Sequence, residues 1–405
     1  KGAGATPYSR TADGLAVFRS SIREFLCSEA MYHLGIATTR ALSLCLTGEQ
    51  VVRDMFYDGN AKAEPGAVVC RVSSSFLRFG SFQLPASRGD VELLTQLVNY
   101  CIKNDFPSLI TGDSKDIGPE IYLRWFEQVA VNTCNMIVDW MRVGFVHGVM
   151  NTDNMSIIGE TIDYGPYGWI DNFDLQWTPN TTDANGRRYR FGAQAEIGQW
   201  NLFQLANAIY PLVQEASALE NILNDYAVQY QQKWHKMMAN KLGLSKVLEQ
   251  DSDLFKELEN ILALVETDMT LFYRQLALLP LIDDIKNITQ TLSFFEHCYY
   301  NLEQIDSVYQ QRFVSWLICY TTRCQEDDFD NSQRQSLMNK TNPKYVLRNY
   351  LTQQAIEKAE QGDFSEIHRL QTLLQHPYDE QAEYQHYADK RPDWAINKAG
   401  CGMLS

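Results

Sequence analysis

A polar island inside an otherwise helical stretch is the feature that most restricts how this chain can fold. From about Gly89 onward, apolar residues recur at three- and four-residue spacing, which predicts helices. Residues 147–201 interrupt this spacing and are rich in Gly, Asn, Asp and aromatic residues. A long irregular segment inside a compact domain is usually functional. The chain is therefore expected to build a helical body around one functional loop.

The helical spacing predicts nine segments in the C-terminal part of the chain. They cover residues 91–103, 122–144, 197–212, 215–242, 254–279, 294–303, 308–322, 346–360 and 364–375. Within the segment 197–212, we expect the apolar residues Trp200, Phe203 and Leu205 to lie in the core.

The first 82 residues mix helical and strand-like patterns. Apolar residues between Leu15 and Leu26 have helical spacing, and β-branched runs at 41–47, 51–57 and 66–72 predict strands separated by turns at 47–48 and 64–66. The whole pattern predicts an α+β, two-lobed fold like that of protein kinases. Residues 1–84 would form a small α/β lobe and residues 85–405 a large, mainly helical lobe that carries the loop 147–201. Because the chain begins with Lys1 and not Met, we expect the small lobe to be truncated.

The charge of the chain argues against several kinds of partner. With 35 Lys and Arg against 50 Asp and Glu, the net charge is -15, and such a field repels nucleic acid and anionic membranes. No run of about 18 apolar residues predicts a membrane span. We expect a soluble monomer whose nine cysteines are reduced thiols.

The island contains a candidate metal-binding hairpin. Residues 155–158 and 161–162 are strand-like around a turn at 159–160, which would pair Ser156 with Asp163 and leave Asn154 diagonal to Asp163. Such neighbours lie about 5–8 Å apart, and their oxygens suit Mg²⁺ or Mn²⁺ carried by nucleotide phosphates. A polar surface hairpin with incidental carboxylates is the alternative.

The same string has the spacing of a kinase catalytic loop. His147 and Asn154 stand seven residues apart, and Asp163-Tyr164-Gly165 is similar to the metal-binding Asp-Phe-Gly of kinases. Where a kinase carries its catalytic Asp, this chain has Val149, which cannot accept a proton. Asp153 is the nearby substitute base.

Cations that could bind phosphate come from the first lobe. Lys1 opens a Gly-rich string that either holds phosphates or makes a tight turn. Glu24, on the first predicted helix, is a candidate partner for Lys1, although a solvated position is the common alternative. Arg71 and Arg78 would point to opposite faces of one regular strand, and they converge on a ligand only if the intervening Ser run bends the chain.

Four strings together resemble the selenoprotein O family of protein adenylyltransferases, which have a pseudokinase fold. They read KGAGATPYSR, RVSSSFLRFGSF, HGVMNTDNMSIIGETIDYGPYGWIDNF and NPKYVLRNYL, and the resemblance extends from Lys1 to the C-terminal end. It implies a kinase-like fold that binds ATP in an inverted orientation and transfers AMP to Ser, Thr or Tyr hydroxyls of other proteins.

The resemblance also implies a role for each matching residue. These roles are the general base (Asp153), Mg²⁺ or Mn²⁺ ligands (Asn154 and Asp163) and contacts to ATP (Lys1, its partner Glu24, Asp13, Gly14, Arg71, Arg78 and Asp163).

Two other activities stay open at this point. One is a phosphotransferase that uses the γ-phosphate, which Val149 disfavours, and the other is a catalytically silent pseudokinase that only binds nucleotide or partners. The carboxyl-rich composition favours a bacterial cytoplasm, or a mitochondrial matrix if the source is eukaryotic.

Overall fold

A computed structural model describes residues 1–7, 9, 11–54, 59–110, 117–281, 288–398 and 400–402. Helices predominate in these residues, and the strands form two small antiparallel sheets. The predicted mixture of α and β structure is therefore confirmed.

The described residues contain the following helices and strands. The helices are α1 (Phe18–His33), α2 (Phe79–Ser87), α3 (Val91–Asp105), α4 (Pro119–Val143), α5 (Gln194–Val213), α6 (Ala216–Lys241), α7 (Asp251–Leu264), α8 (Met269–Ala277), α9 (Ile288–Phe295), α10 (Ser307–Gln325), α11 (Asn331–Thr341), α12 (Asn349–Glu360) and α13 (Ser365–Leu373). The strands are β1 (Arg40–Arg53), β2 (Lys62–Val72), β3 (Phe145–Val146) and β4 (Gly168–Trp169).

The larger sheet is a long hairpin in which β1 pairs with β2. The predicted turns at 47–48 and 64–66 are wrong. Residues 64–66 lie within β2, and strand β1 continues through 47–48 as a bulge between Leu46 and Gln50. Gly48 has φ +81° there, a conformation that glycine tolerates without steric cost. Of the predicted strand 51–57, residues 55–57 lie outside the described residues.

The first residues of the chain attach to this hairpin. The backbone nitrogen of Lys1 donates to Val69 O over 2.8 Å, and Val69 N donates back to Lys1 O over 3.0 Å. Helix α1 packs on the same sheet and buries Ile22 and Leu26. The pairing therefore fixes Lys1 beside α1.

The helical part is built around α4, which packs against α5 and α6 and buries Trp125 and Trp140 completely. Helix α4 ends at Val143 and is capped by Gly144, whose φ of +76° allows the chain to turn into β3. Because β3 pairs with β4, residues 147–167 form a loop between two short paired strands.

Three predictions about the helical part need correction. The predicted helix 254–279 is two helices, α7 and α8, separated where the Asp268 side chain caps α8 by accepting from Leu271 N over 3.0 Å. Trp200 and Phe203 do not lie in the core, since they are 40% and 49% exposed on α5, whereas Leu205 is buried. The predicted helix 294–303 is also wrong, because α9 ends at Phe295 and is followed by short 3₁₀ turns at Glu296–Cys298 and Leu302–Gln304. Helices α2 and α11 were not predicted.

In the part of the chain that the structure describes, no helix has both the length and the apolar character needed to cross a membrane.

Candidate functional site

The predicted hairpin in the polar island exists, but its register differs from the prediction. Met155 bridges to Thr161, so Asp163 does not pair with Ser156, which instead bridges to Arg78. A segment from outside the hairpin sets this register, because Thr161 N donates to Ala37 O over 2.8 Å. Asp163 therefore lies just beyond the hairpin.

Amide side chains hold the loop that precedes the hairpin. Side-chain nitrogens of three asparagines donate to three successive loop carbonyls: Asn180 to Gly148 O (3.0 Å), Asn154 to Val149 O (2.9 Å) and Asn201 to Met150 O (2.8 Å). A fourth amide, that of Gln194, accepts from His147 N and donates to Phe145 O. The loop is thus fixed by neutral donors from four places in the chain.

Charged residues from three distant segments meet beside this loop. Lys1 Nζ forms an ion pair with Glu24 and lies 3.0 Å from Asp163 Oδ1. Arg71 Nη1 lies 3.2 Å from Glu24 Oε1 and 3.8 Å from Asp163 Oδ1. Glu24 is fully buried, whereas the Lys1 side chain is 33% exposed and can still meet a ligand. The predicted pairing of Lys1 with Glu24 is present in the structure.

The cations control the protonation of Asp163. Burial alone would raise the pKa of this carboxyl group, but the charges of Lys1, Arg71 and Arg78 outweigh burial and hold the pKa well below its usual range. Asp163 is therefore an ionised oxygen donor at neutral pH.

Arg71 and Arg78 do converge, and the Ser run between them is the reason. The Ser73 hydroxyl donates to Ser75 O over 2.8 Å and bends the chain after β2. As a result Arg71 donates to Ile162 O, and Arg78 Nη1 donates to Asp153 O over 2.7 Å. Both guanidinium groups thus reach the polar island.

Asp153 lies in a short 3₁₀ turn, Thr152–Asn154, beside the start of α2. Its Oδ1 atom comes so close to Gly80 that a β-carbon on that glycine would be 2.1 Å away. The positive end of the α2 dipole favours a carboxylate at this place. Only glycine at position 80 allows this placement of Asp153.

Oxygen ligands are available for a divalent cation, although the described residues hold no group of three or more His, Cys, Asp or Glu side chains able to share a metal ion. Asn154 uses its nitrogen to bond Val149 O, which leaves its carboxamide oxygen for other contacts. This carboxamide oxygen and the ionised carboxylate of Asp163 are oxygen donors of the type that Mg²⁺ uses when phosphates and water complete its shell.

His147 is buried and acts as a structural residue of the loop. Its ring packs against Trp140 and Phe145, and Val149 N donates to its Nδ1 over 3.4 Å. Burial lowers the pKa of His147 to about 4, against the opposing charge of Asp163. The imidazole is therefore neutral at neutral pH.

Asp13 and Gly14 lie on the turn that joins the first residues to α1. The Asp13 carboxylate accepts from Arg53 Nη1 and Nη2 over 2.8 and 2.7 Å. Gly14 has φ +70°, and an added β-carbon would be 2.1 Å from Gly4 O. Within the described residues, these contacts do not join Asp13 to the charge cluster around Asp163.

Two buried groups that support the loop after Asp163 were missed by sequence reasoning. Arg23 Nη2 donates to Tyr167 O over 2.6 Å, and Tyr167 OH donates back to Arg23 O over 2.8 Å. Further along, Arg348 Nη1 lies 2.9 Å from Asp171 Oδ1 and 3.0 Å from Asp268 Oδ2. Two features of the sequence could have indicated these groups. Arg23 is next to Glu24, and Arg348 lies in the string NPKYVLRNYL.

Comparison with known proteins gives a consistent result across the chain. Residues 1–375 match the family model described as "Protein adenylyltransferase SelO". The chain is 53% identical over 413 residues to the protein nucleotidyltransferase YdiU of Rhodopirellula baltica. It is 54% identical over 405 residues to the protein of that name from Azoarcus sp. and 53% identical over 405 residues to that from Flavobacterium johnsoniae. Each match covers 100% of this chain and 76% of the relative.

Proposed function

The chain belongs to the SelO family and is a transferase of the nucleotidyltransferase class, and from this premise we propose that it transfers AMP from ATP to Ser, Thr or Tyr hydroxyls of other proteins. Residues 1–84 and 85–405 would form the two lobes of a kinase-like fold, with ATP bound between them.

The observation that carries the proposal is the meeting of Lys1, Arg71 and Arg78 beside Asp163 and the loop with Asp153. In a chain of net charge -15, three cations at one place form a local site that can attract phosphates. Glu24 and Asp163 hold two of these cations in fixed positions, and preorganised cations stabilise the charge that develops during phosphoryl and nucleotidyl transfer.

The proposed reaction is an attack of the acceptor hydroxyl on the α-phosphorus of ATP. Asp153 accepts the hydroxyl proton, an oxygen–phosphorus bond to AMP forms, and the bond to the β-phosphate breaks so that pyrophosphate leaves. Arg78, which is anchored on the carbonyl of Asp153, links the position of this base to the phosphate site. Val149 stands where a kinase has its base, so transfer from the γ-phosphate lacks a proton acceptor there.

Asn154 and Asp163 would hold Mg²⁺ or Mn²⁺ through their side-chain oxygens. When bound, the ion would neutralise charge on the nucleotide phosphates. Two observations support these residues as ligands of a divalent cation. The low pKa of Asp163 supplies an ionised oxygen, and a hydrogen bond to Val149 O orients the Asn154 side chain.

The test incubates the full chain with casein and ATP labelled at either the α- or the γ-phosphate, with Mg²⁺, Mn²⁺ or EDTA. Asp153→Ala and Asp163→Ala run beside Asp225→Ala, a matched change of an exposed carboxylate on α6. We expect α-label on protein, loss of label in EDTA and in the first two variants, and unchanged labelling in the third.

Two other results would contradict the proposal. Protein label from the γ-phosphate alone would mean a kinase that uses another base. Nucleotide binding without label from either position would mean a silent pseudokinase. Mass spectrometry of the labelled casein identifies which hydroxyl carries AMP.

A further inference from the structure

Three arginines stand within four residues of an acidic chain, at Arg187, Arg188 and Arg190. Within the described residues, none of them forms an ion pair with a carboxylate. Arg190 Nη1 donates to Arg187 O over 3.1 Å, and the Arg188 guanidinium lies 4.4 Å from the ring centroid of Trp200. The cluster is a local excess of positive charge on a protein of net charge -15.

The backbone of this segment is held in a fixed turn by Asp183. The buried carboxylate of Asp183 accepts from Arg188 N over 2.9 Å and from Tyr189 N over 2.8 Å, and Asp183 O accepts from Arg187 N over 2.7 Å. Arg187 has φ +46°, which is unusual for a residue with a side chain. The turn therefore presents its arginines from a preorganised backbone, which lowers the entropy lost on binding.

Exposed aromatic residues lie on one face of α5, and Trp200 among them contacts the arginine turn through Arg188. Trp200, Phe203 and Tyr210 are 40%, 49% and 46% exposed and recur at helical spacing. Trp, Tyr and Arg are the residues enriched at the energetic centres of protein interfaces. An exposed aromatic stripe that meets arginines lacking a carboxylate partner within the described residues has the composition of a protein-binding surface.

Both parts of this surface are bonded to the loop that precedes Asp153. Asn180, three residues before Asp183, donates to Gly148 O, and Asn201, next to Trp200, donates to Met150 O. A segment seated on the surface would therefore lie close to the loop. These two hydrogen bonds connect the surface to the loop.

We propose that the surface formed by Arg187, Arg188, Arg190, Trp200 and Phe203 docks an acidic segment of the acceptor protein, with carboxylates on the arginines and an apolar side chain on the aromatic residues. The inference rests on the proposed function, because it assigns the surface to the acceptor. Charge complementarity selects the partner: these arginines, which form no ion pair within the described residues, attract carboxylates. The overall negative charge repels a short acidic segment less than nucleic acid or an anionic membrane, because the segment carries fewer charges.

The test measures binding directly, so that it does not depend on turnover. A fluorescent peptide with Glu residues around one Tyr and one Phe is compared by anisotropy with the same peptide carrying Gln in place of Glu. We expect the acidic peptide to bind the wild-type chain at least about tenfold more tightly, and Arg187→Glu/Arg188→Glu to remove this preference. Trp200→Ala should weaken binding of both peptides by about threefold or more.

The matched control is Lys256→Glu/Lys340→Glu, which makes the same change in net charge at two exposed lysines on α7 and α11. Equal loss of binding in the control and in the arginine variant would overturn the proposal, because the effect would then be one of total charge. Equal binding of the two peptides to the wild-type chain would overturn it as well. A DNA oligonucleotide or phosphatidylserine vesicles binding more tightly than the acidic peptide would assign the surface to another occupant and overturn it.

Transfer of α-label to the same peptides separates the two proposals. We expect the arginine variant to raise KM for the acidic peptide by about tenfold with little change in kcat, and to leave transfer to the Gln peptide unchanged. If the acidic peptide binds through the arginines but no peptide or protein is ever labelled, the docking surface stands and the proposed transferase activity is refuted.

Discussion

The substitution Gly80→Ala tests the placement of Asp153 without touching a charged residue. Gly80 lies in the first turn of α2, and Asp153 Oδ1 occupies the place that a β-carbon would take, at 2.1 Å. Ordinary contacts at such carbons begin near 3.4 Å. The carboxylate must therefore move by more than about 1 Å, a shift that can cost about 100-fold in rate when it affects a reacting group.

The substitution should not damage the fold. The atom in the way is the end of a side chain, which can rotate, and Ala favours a helix over Gly by about 0.5–1 kcal/mol. The ion pairs of Lys1 with Glu24 and Asp163 involve none of these atoms. We therefore expect kcat to fall by about 100-fold, equivalent to about 2.7 kcal/mol of barrier, while KM for ATP stays within about twofold.

The assay is initial-rate transfer of α-label to casein over a range of ATP concentrations, with the thermal midpoint measured for each protein. Gly118→Ala is the control, because nothing lies within 4 Å of its added carbon and its φ is -129°. A Gly80→Ala enzyme whose kcat stays within about threefold of wild type would refute the idea that Asp153 must occupy this position.

Three further predictions concern the residues around the loop. Glu24→Gln removes the buried charge that holds Lys1, so we expect KM for ATP to rise about tenfold or more and urea unfolding to show lost stability. The pKa of His147 is lowered to about 4, so as pH falls from about 6.5 to 4 the imidazole is protonated in the unfolded chain but stays neutral in the folded chain. The free energy of unfolding of the wild type should therefore drop by on the order of 2–4 kcal/mol over this window. Urea titrations at each pH should show a smaller drop for His147→Gln. Arg348→Met leaves Asp171 and Asp268 buried without their cation, so we expect about 3–5 kcal/mol of lost stability by urea unfolding, with partial recovery when Asp268→Asn is added.

Sequence reasoning succeeded where the chemistry of each residue carries its own signal. Lys1, Glu24 and Asp163 were chosen from separate segments, and the structure brings all three together. Arg71 and Arg78 were expected to converge only if the Ser run bends the chain, and it does bend. In these cases the local pattern was enough to predict which residues would meet, because each had a distant partner of complementary charge.

Reasoning from local patterns failed where a distant segment decides the outcome. The hairpin register was predicted from turn position alone, whereas Thr161 is paired with Ala37, which lies more than a hundred residues earlier. The predicted helix 254–279 breaks because Asp268 is needed as a cap and as a partner of buried Arg348. Periodicity likewise cannot separate an apolar face that packs on the core from one that faces solvent, and so it misplaced Trp200.

The amides that hold the loop show why sequence motifs reveal charged site residues more readily than the neutral residues that hold the loop in place. A loop carbonyl can accept a hydrogen bond from an amide, a lysine or an arginine, but of these three donors only the amide adds no net charge. Asn154, Asn180 and Asn201 therefore fix three carbonyls of the loop without altering the field that Lys1 and Arg71 set around Asp163. Neutrality makes these residues suitable for the task, and it leaves Asn180 and Asn201 without a sequence signature. The same reasoning predicts that Asn180→Asp, which turns a donor into a charged acceptor facing a carbonyl, should disturb the loop more than Asn180→Ala, as measured by hydrogen exchange at residues 148–150.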